Sequence, residues 1–307
     1  MASIDTGERD EEGRKIVRPA MTPQQAFNAA MQGLSHACLT FWPDVILYVS
    51  GFFLNAGLMQ LMQSRNFIQV ILHTESPYED AAQLLRGQLA DLNLLNDPKN
   101  IGRFREWGPA EYMPHCYRPE LHHPRTGPLN PELAADLAFI GTAFKSRIEF
   151  FTAMDLAGLD VLIGGNDWGA TPEDSPLAPF VGTGLGNPDC VDNEQTAEIY
   201  RHARTGLNLY RRETSEGGSA EGWAMGPREV EMAASQLFFL RDPRAEGDEV
   251  LSMLPTFSGP GDASEKLRWW LAHDRERQRA ADKARLAVMD RTFDVNARRM
   301  LQLLEGL

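Results

Sequence analysis

The chain has 307 residues, 43% of them hydrophobic and 24% charged, and its 43 acids against 30 bases leave a net charge of −13. This is globular composition at a length suited to two domains of about 150 residues, and it excludes a disordered, collagenous or fibrous chain. The acidic balance repels polyanions, so nucleic acid is not an expected partner.

Residues 1–18 carry mixed charge and no apolar run after a basic start, so they read as a solvated tail without a secretory signal. Pro19–Leu39 predicts a helix, with Thr22-Pro23 as start signal and Phe27, Ala30, Met31 and Leu34 at helical spacing. Val45–Val49 predicts a buried strand, Asn55–Arg65 a helix and Phe67–Leu72 a second strand. The uncharged stretch Val45–Ser64 is long enough to span a bilayer. Its Ser50, Asn55, Gln60, Gln63 and two glycines favour strand, turn and helix instead, so no membrane span is expected. The alternation continues with helix Glu79–Gln88, strand Leu92–Leu95, helix Pro98–Glu106 and strand Glu111–Met113.

Pro114–Pro131 contains five prolines and His122-His123, and marks a domain boundary. Beyond it come strand Leu137–Ile140, helix Lys145–Ala157, strand Val161–Ile163, a Gly/Pro/Asp-rich loop over 164–190, helix Asn193–Ala203 and strand Gly206–Leu209. A Gly/Ser-rich loop over 216–222, a helix from Pro227, strand Leu237–Leu240 and charged helices complete the chain. Strands alternating with helices specify parallel sheets with helical crossovers, hence an α/β fold. The expected division is a tail over 1–18, an N-terminal Rossmann-like domain over 19–120, a C-terminal Rossmann-like domain over 132–290 and a final helix over 291–307. Ligands in such folds sit beyond the carboxyl ends of strands and between domains.

Cys38, Cys116 and Cys190 are far apart and form no CxxC, which argues against a disulfide framework or structural zinc and fits a reducing cytoplasm. No cofactor fingerprint is present: GTGLG at 182–186 lacks a preceding strand and the required spacing, and no Asp-x-Asp metal clamp occurs. Two segments carry chemistry. In FIGTAFKSR (139–147), the strand ends at Gly141-Thr142 and a helix starts at Lys145. Lys145 and Arg147 oppose the helix dipole, a conflict that a bound phosphate would relieve; a plain strand–helix turn with solvated basic residues is the alternative. In GPREVEMAAS (226–235), Gly226-Pro227 opens a helix. Glu229 and Glu231 then suit either the dipole or, for Glu231, a grip on both hydroxyls of a ribose.

These segments, with LDVLIGGNDW, EIYRHARTGLNLYR and GPREVEMAASQLFFLRD in the same order, resemble the CgeB-like (spore-maturation type) glycosyltransferases of the GT-B fold. VILHTESPYED, LNLLNDP and AEYMPHCYRPELHHP look like the end of the family's N-terminal domain, so the resemblance covers about residues 40–305. It implies two Rossmann-like domains facing a cleft, the N-terminal one shortened. It also implies hexosyl transfer from a nucleotide-diphosphate sugar, UDP- or GDP-linked, to a hydroxyl acceptor, a protein or a glycan, with no obligatory metal and no separate cofactor. On this resemblance Glu231 matches the ribose-binding glutamate, with Arg228 one turn away. Lys145 and Arg147, beside Gly141 and Thr142, lie where the diphosphate binds, and Asn208, Tyr210 and Gly226 border the donor. Trp168 either stacks on base or sugar or anchors its loop. His73 and Glu75 stand on the acceptor side, as base if the reaction inverts and as positioning groups if it retains. Trp223 occupies the position of a second glutamate in related transferases, and Val230 replaces a phenylalanine. A non-catalytic nucleotide-sugar-binding protein and a sugar-nucleotide epimerase are the rivals. Residues 19–43 hold no Lys, Arg, Asp or Glu, so that helix either packs within the chain or forms a homodimer contact.

Overall fold

The computed structural model describes residues 3–9, 15–19, 21–182, 191–214 and 221–307, with side chains from residue 21 onward. The chain opens with an antiparallel ladder of β1 (Ser3–Arg9) and β2 (Lys15–Pro19). This replaces the tail expected over 1–18. Local pairing satisfies the backbone groups, and Ile4, Thr6, Ile16 and Val17 are strand formers.

Helix α1 (Pro23–Phe41) starts with a capping box, in which the Thr22 hydroxyl accepts from the Gln25 amide and Gln25 Oε1 accepts from the Thr22 amide at 2.9 Å. Strand β3 (Val45–Val49) follows, then a turn through left-handed Ser50 and Gly51, and α2 (Ala56–Gln63) capped by Asn55. The uncharged stretch is therefore broken in two, and among the described residues no helix is long and apolar enough to cross a membrane. Next come β4 (Ile68–His73), α3 (Asp80–Gly87), β5 (Leu92–Leu95), α4 (Ile101–Arg105) and β6 (Ala110–Tyr112). The four strands form one parallel sheet in the order β3-β4-β5-β6. Met31 and Leu34 of α1 pack on this domain's core around Met59, Met62 and Ile71; Cys38 is buried, Phe27 and Ser35 are half-buried, and the rest of α1 is exposed.

The second sheet contains β7 (Leu137–Ile140), β8 (Val161–Gly164), β9 (Gly206–Asn208) and β10 (Phe239–Arg241). Helices α5 (Lys145–Ala153), α6 (Asn193–His202) and α7 (Pro227–Ala234) connect them, followed by α8 (Ala245–Val250), α9 (Pro260–Ala272) and α10 (Asp274–Ala287). All four strands are parallel, in the order β10-β9-β7-β8. The chain winds outward from β7 to β8, then returns to the other side of β7 for β9 and β10. The crevice where winding reverses, beyond the ends of β7 and β9, is the binding position of an open α/β sheet. β7 and β8 are buried on both faces, as strands under helices on each side must be.

The last helix, α11 (Phe293–Leu304), does not stand alone. Met300, Leu303 and Leu304 pack on Val70, Leu92, Leu94 and Met113 of the first sheet, and Asn296 Nδ2 donates to the Pro114 carbonyl at 2.7 Å. The chain thus crosses between domains twice, at 114–117 and 291–293, and the two crossings hydrogen-bond to each other through Tyr117, Arg291 and Phe293.

Candidate functional site

A cleft of about 480 Å³ lies between the two domains. Its C-terminal wall is built from the ends of β7, β8 and β9 and the start of α7; its N-terminal wall comes from the loops after β4, β5 and β6.

At the end of β7, Gly141 donates to the Gly164 carbonyl at 2.8 Å, and its own carbonyl accepts from Trp168 Nε1 at 2.7 Å. Gly165 has φ 121°, and a Cβ there would sit 2.5 Å from the Gly141 carbonyl oxygen. Only glycine lets these two loop backbones nest so closely. Gly141, Thr142 and Asn166 line the cleft. Trp168 does not: it is fully buried, edge-on to Phe139 and Phe151, and it anchors the loop from behind. A ring enclosed in the core has no face left for a base or a sugar.

The expected phosphate at the start of α5 meets a different partner. The Ser146 amide donates at 3.0 Å to the carboxylate of Glu213, which also takes the Arg212 amide. Partial burial opposes the charge on Glu213, yet these bonds hold its carboxyl below the usual range. The dipole is therefore answered from within the chain. Lys145 departs from expectation too, since it points to solvent, pairs with Glu149 at 3.7 Å and does not line the cleft. A first-turn lysine is free to extend away from the dipole's positive end into water.

Arg147 turns inward. Its guanidinium donates to the Thr142 and Leu209 carbonyls at 3.0 and 2.7 Å, lies against Phe139 and Phe144, and leaves Nε without a partner. Burial pushes its pKa down to about 10, so it remains charged at neutral pH. Arg211, Arg228 and Arg244 line the same cleft. Arg228 donates to Glu231 at 2.9 Å. Arg244 donates to the Ala224 carbonyl at 2.9 Å and to the Tyr78 hydroxyl, and lies 3.7 Å above the Tyr210 ring.

Glu231 is set back from the cleft and holds Arg228, which lines it. Burial raises the Glu231 pKa and Arg228 lowers it, with burial prevailing. The other acid of the helix, Glu229, is fully buried and closes a capping box. It accepts from the Gly226 amide at 2.8 Å and from the Tyr210 hydroxyl, and burial pushes it up to about 7. Gly226 and Tyr210 therefore present backbone and ring to the cleft, with amide and hydroxyl spent on Glu229. Asn208 also lines the cleft, and its buried Nδ2 has no partner.

On the opposite wall Glu75 faces the cleft, paired with Arg211 at 3.2 Å. Burial and neighbouring Glu79 raise its pKa, and Arg211 lowers it, with the upward effects prevailing. His73, the other expected acceptor-side group, is wholly buried inside the N-terminal domain. Its Nε2 lies 2.8 Å from Asn93 Oδ1, its ring packs on Phe104, and burial pushes its pKa down to about 4. The last residue of a central strand, His73 points into the layer beneath the sheet, while the loop that begins with Thr74 reaches the cleft.

Sequence reasoning missed four contributors. His115, assigned to the linker, lines the cleft near Arg244 and Arg291, and burial holds it neutral with a pKa of about 4. Asp97 accepts from the Trp223 and Ala224 amides at 2.7 and 2.8 Å and so ties the two walls together. Arg211 and Arg244 complete the set; their only local signal is a position just after a predicted strand. Trp223 joins this latch through its backbone. The loops 164–190 and 216–222 fall partly outside the described residues, at 183–190 and 215–220, and with them most of GTGLG and Cys190. Among the described residues no cluster of three or more His, Cys, Asp or Glu could hold a metal.

Residues 147–305 match a family described as glycosyl transferase-like, which is more than half of the chain. The chain belongs to that family. Its fold is similar to sucrose-phosphate synthase from Thermosynechococcus elongatus, at TM-score 0.64 and 15% identity over 97% of this chain and 84% of that one. It is also similar to trehalose-6-phosphate synthase OtsA, at 0.63 and 13% over 94% and 79%. A third similar structure, HepE from Anabaena in complex with UDP and glucose, gives 0.59 and 10% over 92% and 81%. At these identities the likeness is one of fold: two parallel-sheet, Rossmann-like domains in the GT-B arrangement. No curated protein matches the sequence.

Proposed function

We propose that this glycosyltransferase-family chain moves a hexose from a nucleoside-diphosphate sugar, with UDP or GDP as carrier, to a hydroxyl group on a protein or glycan, as a CgeB-like member of its family. One observation carries this reading. In a chain of net charge −13, four guanidiniums, those of Arg147, Arg211, Arg228 and Arg244, converge on a single inter-domain cleft opposite the carboxylate of Glu75.

A diphosphate leaving group gains negative charge as the glycosidic bond breaks. Fixed guanidiniums in a partly dry cleft stabilise that charge with little reorganisation. They supply enough positive charge for the reaction to need no obligatory metal. The unpaired Nδ2 of Asn208 and the cleft lining beside Tyr200 suit the nucleoside end. Glu75 faces the acceptor: its carboxylate takes a hydrogen bond from the attacking hydroxyl. If the anomeric carbon inverts, it also takes the proton, while the acceptor oxygen bonds to that carbon and the nucleoside diphosphate leaves with the electron pair.

A thermal-shift screen of UDP, GDP and their hexose conjugates tests the proposal. A carrier present at about 100 times its Kd stabilises the fold by about 2.7 kcal/mol, a shift of several degrees. No shift with any of them at millimolar concentration overturns the donor assignment.

A further inference from the structure

Of the four guanidiniums, Arg211 also makes contacts across the cleft that the scheme above leaves out. It follows β9 on the donor wall, yet its Nη1 and Nη2 donate to Glu75 and Glu79 of the acceptor wall at 3.2 and 2.9 Å. Its Nε is held by the Glu213 carbonyl at 2.7 Å, and its guanidinium lies between the rings of Tyr78 and Phe144, at 5.4 and 5.3 Å. The Phe144 ring carries Arg147 as well, at 5.1 Å, so two guanidiniums share one ring. Arg211 is 22% exposed and lines the cleft. A dianion entering beside Arg147 therefore meets a second guanidinium already committed to two carboxylates.

We propose that Arg211 is a positioning residue shared between the two substrates: it holds Glu75 when the cleft lacks donor, and shifts its charge toward the diphosphate when donor arrives, freeing Glu75 for the acceptor hydroxyl. The inference rests on the donor reading above and adds to it an order of events. Coupling of this kind is reciprocal, so whatever removes the claim of Glu75 on Arg211 strengthens diphosphate binding by the same factor. The clamp also withholds the acceptor-side carboxylate until a donor is in place.

The test is a double-mutant cycle read by calorimetry with UDP and GDP as probes, which needs no knowledge of the acceptor. Glu75→Gln keeps the side-chain shape and removes one of the two competing charges; the carrier that binds is expected to bind it about fivefold more tightly or better. Arg211→Gln is expected to weaken binding by about tenfold, the value of one charge-assisted contact. In the double variant the gain from Glu75→Gln disappears, because the group through which it acted is gone. Arg211→Lys keeps the charge without the two-armed fork, gives an intermediate affinity, and serves as the reading if Arg211→Gln does not fold. Unchanged affinity in Glu75→Gln, or the same gain with and without Arg211, overturns the shared-residue proposal while leaving the donor site standing. Failure of both carriers to bind the wild-type chain overturns the donor reading, and this inference with it.

Discussion

The two walls of the cleft are made of the same architecture and carry opposite chemistry. The C-terminal wall presents four guanidiniums; the N-terminal wall, among its described lining residues, presents Glu75, Asp97, hydroxyls and a neutral His115, with no lysine or arginine. The contrast follows from strand order. In the C-terminal sheet the winding reverses at β7, opening a crevice into which Arg147 and the β9 loop project. In the N-terminal sheet β3 to β6 follow one another in a single direction, without a reversal, and only loop tips reach the cleft. One wall is cationic; the other carries carboxylates and hydroxyls.

The largest expected effect tests how the cationic wall is supported. Trp168→Ala removes a fully buried ring and the bond to Gly141, and should cost about 3–5 kcal/mol of stability in denaturant unfolding. A variant of wild-type stability with weakened nucleotide binding would move Trp168 into the site. Next comes the facing wall. Glu75→Gln should lower donor turnover by about a hundredfold if Glu75 takes the acceptor proton, and unchanged initial rates would empty that wall of its assigned chemistry.

A pH series sharpens the contrast further. His73, His115 and His122 are held neutral, with pKa values pushed down to about 4 by burial, whereas unfolded imidazoles titrate near 6.5. Between those values the unfolded state binds more protons, so the stability these groups contribute is complete above pH 6.5 and is lost as pH falls toward 4. His73→Gln removes one of the three and should make the melting temperature less steeply dependent on pH in that window; an unaltered slope would contradict its burial as a neutral ring. The smallest effect belongs to Lys145→Ala. Exposed and paired with Glu149, its loss should change carrier affinity by less than about twofold in calorimetry. A tenfold loss would restore it to the donor wall.

The elements were largely legible. β3, β5 and β7 have the bounds that their apolar runs suggest; β5 and β7 are covered on both faces, which needs continuous hydrophobic sequence, whereas β3 is an edge strand that leaves Leu47 and Val49 exposed. The order of pieces around Gly141, Trp168 and Gly226 was legible too, since turns and helix starts are written in neighbouring residues. Side-chain destinations were not. Glu213 reaches Ser146 across 67 positions, Asp97 reaches Trp223 across 126, and Arg211 reaches Glu75 across 136. Local spacing placed Lys145 and Arg147 together, but only packing sent one to water and the other between two aromatic rings.

The amino-acid order alone therefore determined two parallel α/β layers and the strand ends that line the cleft between them. These follow from hydrophobic periodicity and turn chemistry, which act over a few residues. The assignment of Trp168 and His73 to the interior, of Glu213 to a helix start and of four arginines to one cleft waited on the tertiary structure. Burial and charge pairing are properties of neighbours in space, and those neighbours lie in different segments of the chain.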